Sequence, residues 1–140
     1  SSMANDDWIG VMNATRQLGR VNIRLRRGLE ATASLQRSVR VAWEHHLTLG
    51  LANAMLHLPE GLVLSGQAEL AARLYGFAMA HWARLYPAIN RIEAREARRC
   101  RLWLHGALGG ARFQALRVEG SALTVTQAVG LVLSIRLPPV

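Results

Sequence analysis

The chain contains no lysine: all 17 of its cations are arginine, set against nine acids for a formal net charge of +8. A pI near 11.5 makes anionic partners worth testing, although charge sign speaks to association and solubility rather than to fold. Cys100 is the single cysteine, so no intramolecular disulfide can form, which suits a reducing cytoplasm. Aromatic residues make up only 6%, so a core must be built mainly from Ala, Leu and Val. No apolar run approaches the roughly 18 to 20 residues of a membrane span. The longest, Leu123 to Ile135, is broken by Thr124, Thr126, Gln127 and Ser134. The first residues lack the basic-then-apolar layout of a secretory leader, and Ser1 and Ser2 ahead of Met3 look like a cloning remnant.

Catalytic signatures are equally scarce. There is no HExxH, no GxGxxG or phosphate-binding loop, and no nucleophile elbow. His45 and His46 are adjacent and point about 100° apart on a helix, so they do not chelate together. His57, His81 and His105 stand apart in sequence, and the nine acids are spread thinly. Cys100 lies on an apolar stripe and reads as a small core residue. The expectation is a binding protein without catalysis, cofactor or metal.

What is present is helical. Hydrophobic residues reach 51%, which excludes wholesale disorder, and Ala and Leu favour helix. Apolar spacing predicts a first helix over 7–25, with Trp8, Val11, Met12, Leu18, Val21 and Leu25 near one stripe. Asn5, Asp6 and Asp7 supply cap and first-turn acids, and Gly28 is the expected stop. A second helix is expected from Leu29 to His46, burying Leu29, Ala33, Gln36, Val39 and Trp43. A third starts near Leu47, carries Leu51, Ala54, Met55, Leu58 and Leu62, and meets a kink or late break at Pro59 before Gly66. A fourth spans Ala68 to Leu85. Gly28 matches Gly66 at a spacing of 38 (66 minus 28), while Leu35 and Trp43 match Leu74 and Trp82 at 39 (74 minus 35). Two helices at that period are the mark of a solenoid of hairpins that must stack.

After Tyr86 and Pro87, a fifth helix is expected over 88–108, with Ile89, Ile92, Ala97, Cys100, Leu104 and Leu108 apolar. Glu93 and Glu96 are placed to pair with arginines on the same helix. A short helix over 111–118, a turn at Glu119 to Ser121, and a last helix over 125–135 follow, the last opened by a Thr124–Gln127 capping box. Two arginine clusters stand out: Arg16, Arg20, Arg24 and Arg27, and Arg91, Arg95, Arg98, Arg99 and Arg101. A solvated face partly paired with Glu is the plain reading of both. A phosphate-tracking patch for nucleic acid is the alternative, weakened because aromatics do not interleave.

Two stretches resemble a known family. Ala68 to Leu85, AELAARLYGFAMAHWARL, is similar to an "ERAARLLGAAEALRE" helix. Phe113 to Leu133, FQALRVEGSALTVTQAVGLVL, is similar to an "F..AW.EGRALSLEEAVALAL" ending. Both stretches thus resemble the C-terminal helical region of large bacterial transcriptional regulators, a family that carries a STAND-type signalling ATPase and ends in tetratricopeptide-like repeats. The family usually has acids where Thr126 and Gln127 stand and often Trp at Leu116. The chain has neither the ATPase loops nor a DNA-binding unit, so those activities do not carry over. The resemblance implies an all-α, tetratricopeptide-like right-handed stack of two hairpins (about 7–46 and 47–85), capped by C-terminal helices (about 88–136) in one domain over 4–140. It implies a cytoplasmic protein-interaction or effector-sensing module of a signal-transduction protein. The partner would be a protein or peptide, such as the ATPase and DNA-binding part of a longer chain. A homodimer is expected where an apolar hairpin end lies open. The candidate binding surface comprises Tyr75, Trp82, Arg91, Arg95, Arg98 and Arg99.

Overall fold

The computed structural model describes residues 2–85 and 91–138, with side chains from 7 to 85 and from 94 to 138. Among the described residues there are seven helices and no strand: α1 (Ser2–Arg24), α2 (Gly28–Glu44), α3 (Thr48–Leu64), α4 (Ala68–Leu85), α5 (Arg91–Leu108), α6 (Gly110–Ser121) and α7 (Val125–Leu133). The expected all-α class is met. Tyr86, Pro87 and the expected start of the fifth helix near 88 lie outside the described residues. So do the side chains of Asn5, Asp6, Arg91, Ile92 and Glu93. Because α1 begins at Ser2, Asp7 stands inside the helix and not at its cap.

Helices α2, α3 and α4 begin at 28, 48 and 68, so one helix and its turn occupy 20 residues (48 minus 28, 68 minus 48). The three turns close alike. Arg26, His46 and Gly66 take left-handed φ values of 60°, 56° and 83°. The next amide reaches back in each case: Arg27 N–H to Asn22 O, Leu47 N–H to Ala42 O and Gln67 N–H to Leu62 O, each at 2.8 Å. This is the Schellman closure of a helix C-terminus. Only one of the three turns uses glycine. Gly28 is therefore not the stop expected of it; it is the first residue of α2. It is needed there because a Cβ would fall 2.5 Å from the Leu64 carbonyl carbon.

The hairpin period is thus 40 (66 minus 26), one or two residues longer than side-chain matching gave. One residue turns a helix by about 100°, enough to exchange faces. Leu35 pairs with Tyr75 and Ala42 with Trp82, all buried. Trp43, the expected partner of Trp82, is 36% exposed. The same rotation corrects the second helix: Ala31, Thr32, Leu35, Ser38 and Val39 are buried, whereas Leu29 and Ala33 face outward.

The first helix is corrected more sharply. Its buried side is Met12, Gly19, Asn22 and Ile23; Trp8, Leu18, Val21 and Leu25 are exposed. The face with the smallest residue won, because helices approach closest there and α2 occupies that space. Trp8 instead stacks on His45 at 4.3 Å. Pro59 does not break α3, which runs on to Leu64. One missing amide bond is tolerated in a helix held on all sides.

Consecutive helices pack against one another from α1 to α4, and α1 also touches α3. Three-residue turns between packed helices make neighbours antiparallel. The C-terminal helices then spread over this row: α6 lies on α4, α5 on α3 and α4, and α7 reaches back to α2. Gln36 Nε2 on α2 donates to the carbonyls of Val132 (2.9 Å) and Ile135 (2.8 Å), tying down the end of α7. The Thr124–Gln127 capping box forms at the start of α7, as expected. The expected turn at Glu119 to Ser121 does not form, because α6 continues through it. There α4 and α6 cross almost backbone to backbone: a Cβ on Gly120 would lie 1.8 Å from Arg73 O, and one on Gly76 2.0 Å from Arg117 O.

Adding a methyl at that crossing should force the helices apart. Gly120→Ala and Gly76→Ala are each expected to cost about 2 kcal/mol or more. Gly106, in the last turn of α5 with open space around it, should behave oppositely, Gly106→Ala stabilising by roughly 0.5 kcal/mol. Urea denaturation of the three variants checks both signs.

Candidate functional site

Helix α3 is buried from Gly50 to Leu62, apart from Asn53. An apolar helix enclosed on all sides has little tolerance for charge. Two ionisable side chains nonetheless sit within that stretch, His57 and Glu60, three residues apart and so on one face. Helix α5 meets them with Glu96 and Arg99, again three apart, and α1 contributes Arg20. Arg99 Nε donates to Glu60 Oε2 at 2.7 Å. Arg20 Nη2 donates to Glu96 Oε1 at 2.9 Å. His57 Nδ1 lies 2.9 Å from Glu96 Oε2. One polar cluster therefore joins three helices.

Burial pushes the Glu60 carboxyl above its ordinary value, and the Arg99 guanidinium offsets that only in part. Pairing with Glu60 in turn raises Arg99. Burial also works against ionised Glu96, but the hydrogen bond and charge of His57, joined by those of Arg20, outweigh it and hold the carboxyl at about 2. Arg99 and Arg26 additionally face the Trp103 ring, at 5.3 and 4.8 Å from its centroid. This brings the turn after α1 against α5 and gives Arg26, in its left-handed conformation, a tertiary partner.

Above the cluster opens a cleft of about 200 Å³, lined by Arg20, Arg24, Arg95 and Arg99 with Ile23 at its side. Arg24 and Arg95 are exposed at its rim, and neither has an acid partner among the described residues. His57, Glu60 and Glu96 offer ligand-type atoms all within 4.8 Å of one another, a set that suits a divalent cation by donor type. Each carboxylate, however, already carries a guanidinium. The arrangement is an ionic lock with a cationic mouth.

The cleft brings together two of the expected surface residues, Arg95 and Arg99. Arg98 is exposed but does not line it, and the Arg91 side chain lies outside the described residues. Tyr75 is buried against Phe113, with ring centroids 5.6 Å apart. Trp82 is buried beside Ala52 and Leu56. The two aromatics thus belong to the interior and do not share a surface with the arginines. Glu96, expected to pair along its own helix, pairs instead with α1 and α3. Cys100 is buried, and burial pushes its thiol up, in keeping with its reading as a core residue. His57, Glu60 and Arg20 were missed as a site. The available signal was the His-x-x-Glu spacing inside the apolar run LHLPEGLVL, since charge there demands partners.

A second feature is the outer face of α1. Leu18, Val21 and Leu25 recur at helical spacing, and Leu29 continues them onto α2; all four are largely exposed. No helix among the described residues is long and apolar enough to cross a membrane. Family models, curated proteins and solved structures were compared with the chain, and none matches.

The Glu96 carboxyl sits below its ordinary 4.5, so its contribution to stability is complete above that pH and is lost as the pH falls towards 2. Solvent screening at this half-buried group leaves a loss on the order of 1 kcal/mol. Glu60, shifted upward by burial, works in the opposite sense, its ionisation costing stability as the pH rises past 4.5. Glu96→Gln should flatten the acid limb of a stability–pH curve measured by chemical denaturation. An unchanged acid limb would place the titration elsewhere.

Proposed function

We propose that this chain is a non-catalytic, tetratricopeptide-like stack of helical hairpins that works by binding, as the protein-interaction or effector-sensing segment of a larger bacterial regulator. The observation that carries the reading is the open face of α1. In a row of hairpins each helix is covered by the next, and the outer side of the first has no cover of its own. Leu18, Val21, Leu25 and Leu29 leave an apolar strip there, the kind of surface that marks a protein contact. The 20-residue helix–turn unit supports a row of stacked hairpins, at 40 residues per hairpin (68 minus 28) against the roughly 34 of a tetratricopeptide repeat. The likeness of Ala68 to Leu85 and Phe113 to Leu133 to STAND-type regulators supports the rest of the reading. The occupant favoured is an apolar helical surface of another protein, or of a second copy of this chain. The ionic cluster supports a binding role over catalysis, because guanidiniums hold both of its carboxylates.

A second reading, nucleic-acid binding, draws on the arginine-rich faces of α1 and α5. Association with DNA or RNA that falls steeply with salt would favour it, and flat or absent binding at low salt would remove it.

The strip is tested by sedimentation of the isolated chain. Self-association is expected to rise with protein concentration and to disappear in Leu18→Glu/Leu25→Glu. Both sites are exposed, so the variant should keep its helicity and its melting temperature. A variant that associates as well as the wild type would count against the strip as a contact surface, and a wild type that stays monomeric throughout would remove a second copy as its occupant.

A further inference from the structure

We infer that the cleft between α1 and α5 is a binding site for a small phosphate-type anion, which bridges the two helices. The inference rests on the effector-sensing half of the reading above and names the ligand class for it.

The charges set the sign of the ligand. Four guanidiniums line the cleft and two carboxylates lie at its floor. Arg99 is consumed by Glu60 and Arg20 by Glu96, at 2.7 and 2.9 Å. Arg24 and Arg95 are then left in excess at the rim, one on each helix. Like charges held on facing helices repel one another, and an anion between them removes that cost and adds charge-assisted hydrogen bonds. The outer N–H groups of Arg24 and Arg95 are exposed at the rim, where a ligand oxygen can reach them without displacing any side chain. Guanidinium is the group best matched to tetrahedral oxyanions, through paired N–H donors.

Size sets the rest. About 200 Å³ is below the roughly 300–1,000 Å³ of sites for drug-sized molecules. It suits inorganic phosphate, or the end group of a phosphomonoester whose remainder projects through the open mouth. It does not accommodate a length of nucleic acid. A divalent cation at His57, Glu60 and Glu96 is the competing occupant by donor type, but it would stand among four guanidiniums with both carboxylates already shared. Because Arg24 ends α1 and Arg95 lies near the start of α5, an anion held by both clamps the C-terminal helices to the first hairpin. Occupancy would thereby be communicated to the face of α1 that carries Leu18, Val21 and Leu25.

The test is a titration of the whole chain with inorganic phosphate at constant ionic strength, followed by backbone amide NMR shifts. Saturable shifts are expected, clustered at residues 20–27 and 94–99. In Arg24→Gln/Arg95→Gln they should weaken by about tenfold or more for each guanidinium removed. Arg40→Gln/Arg98→Gln, which removes two exposed arginines outside the cleft, should leave them unchanged. A phosphomonoester such as glycerol phosphate forms the second arm. Tighter binding than inorganic phosphate identifies the end group of a larger effector, and equal binding identifies the free ion. Linear, scattered shifts would mean only the general exclusion effect of phosphate and would overturn the site. So would shifts that persist in Arg24→Gln/Arg95→Gln, binding seen only with oligonucleotides, or clustered shifts produced by a divalent cation alone. Failure here leaves the sedimentation result for the α1 strip untouched, so the two readings fail separately.

Discussion

Glu60 is 1% exposed on α3, the most enclosed of the described helices, and the need to match its carboxylate governs how α5 is placed against α3 and α1. An isolated buried charge costs several kcal/mol. Arg99 is therefore required opposite it, which sets α5 across α3. Once α5 is there, Glu96 falls beside His57 and within reach of Arg20 on α1. Three helices distant in sequence are thus registered by side chains spaced three apart on two of them. Well-packed apolar residues can replace such a network at little or no loss of stability. Its value here lies in specifying one docking of α5, where an apolar contact would permit sliding.

The opposite end of the assembly is registered by a different force. Helices α4 and α6 meet through bare backbone at Gly76 and Gly120, and α7 is fastened by Gln36 capping its last carbonyls. Shape does there what charge does at α5. Helix α1 belongs to both worlds. Arg20 and Arg24 line the cleft, while Leu18, Val21 and Leu25 are exposed on a neighbouring side of the same helix, since each residue turns the side chain by about 100°. Under the proposed function, a ligand in the cleft and a partner on the apolar strip would share this one helix.

Much of this was legible beforehand, though unevenly. The limits of α4, the capping box of α7, the buried stripe of α3 and the core role of Cys100 follow from local pattern, which the fold respects. The faces of α1 and α2 were misjudged. Large apolar residues were assumed to point inward, yet the inner side of α1 holds Gly19 and Asn22 while leucines face out. The candidate surface was legible in part. Arg95 and Arg99 line the cleft, but Tyr75 and Trp82 were placed with them by repeat geometry and lie in the interior.

Sequence by itself determined that the chain is helical, roughly where each helix starts and stops, and that an arginine-only cation set surrounds few acids. These properties depend on residues within a turn or two of each other, so they are written in neighbouring letters. Tertiary structure alone decided which face of each helix is buried, that the hairpin period is 40 residues, and that Glu60, Glu96 and His57 meet. The reason is that a 100° rotation per residue makes facing depend on what occupies the adjoining space. Partners 39 and 76 residues apart are chosen only when the helices close around them.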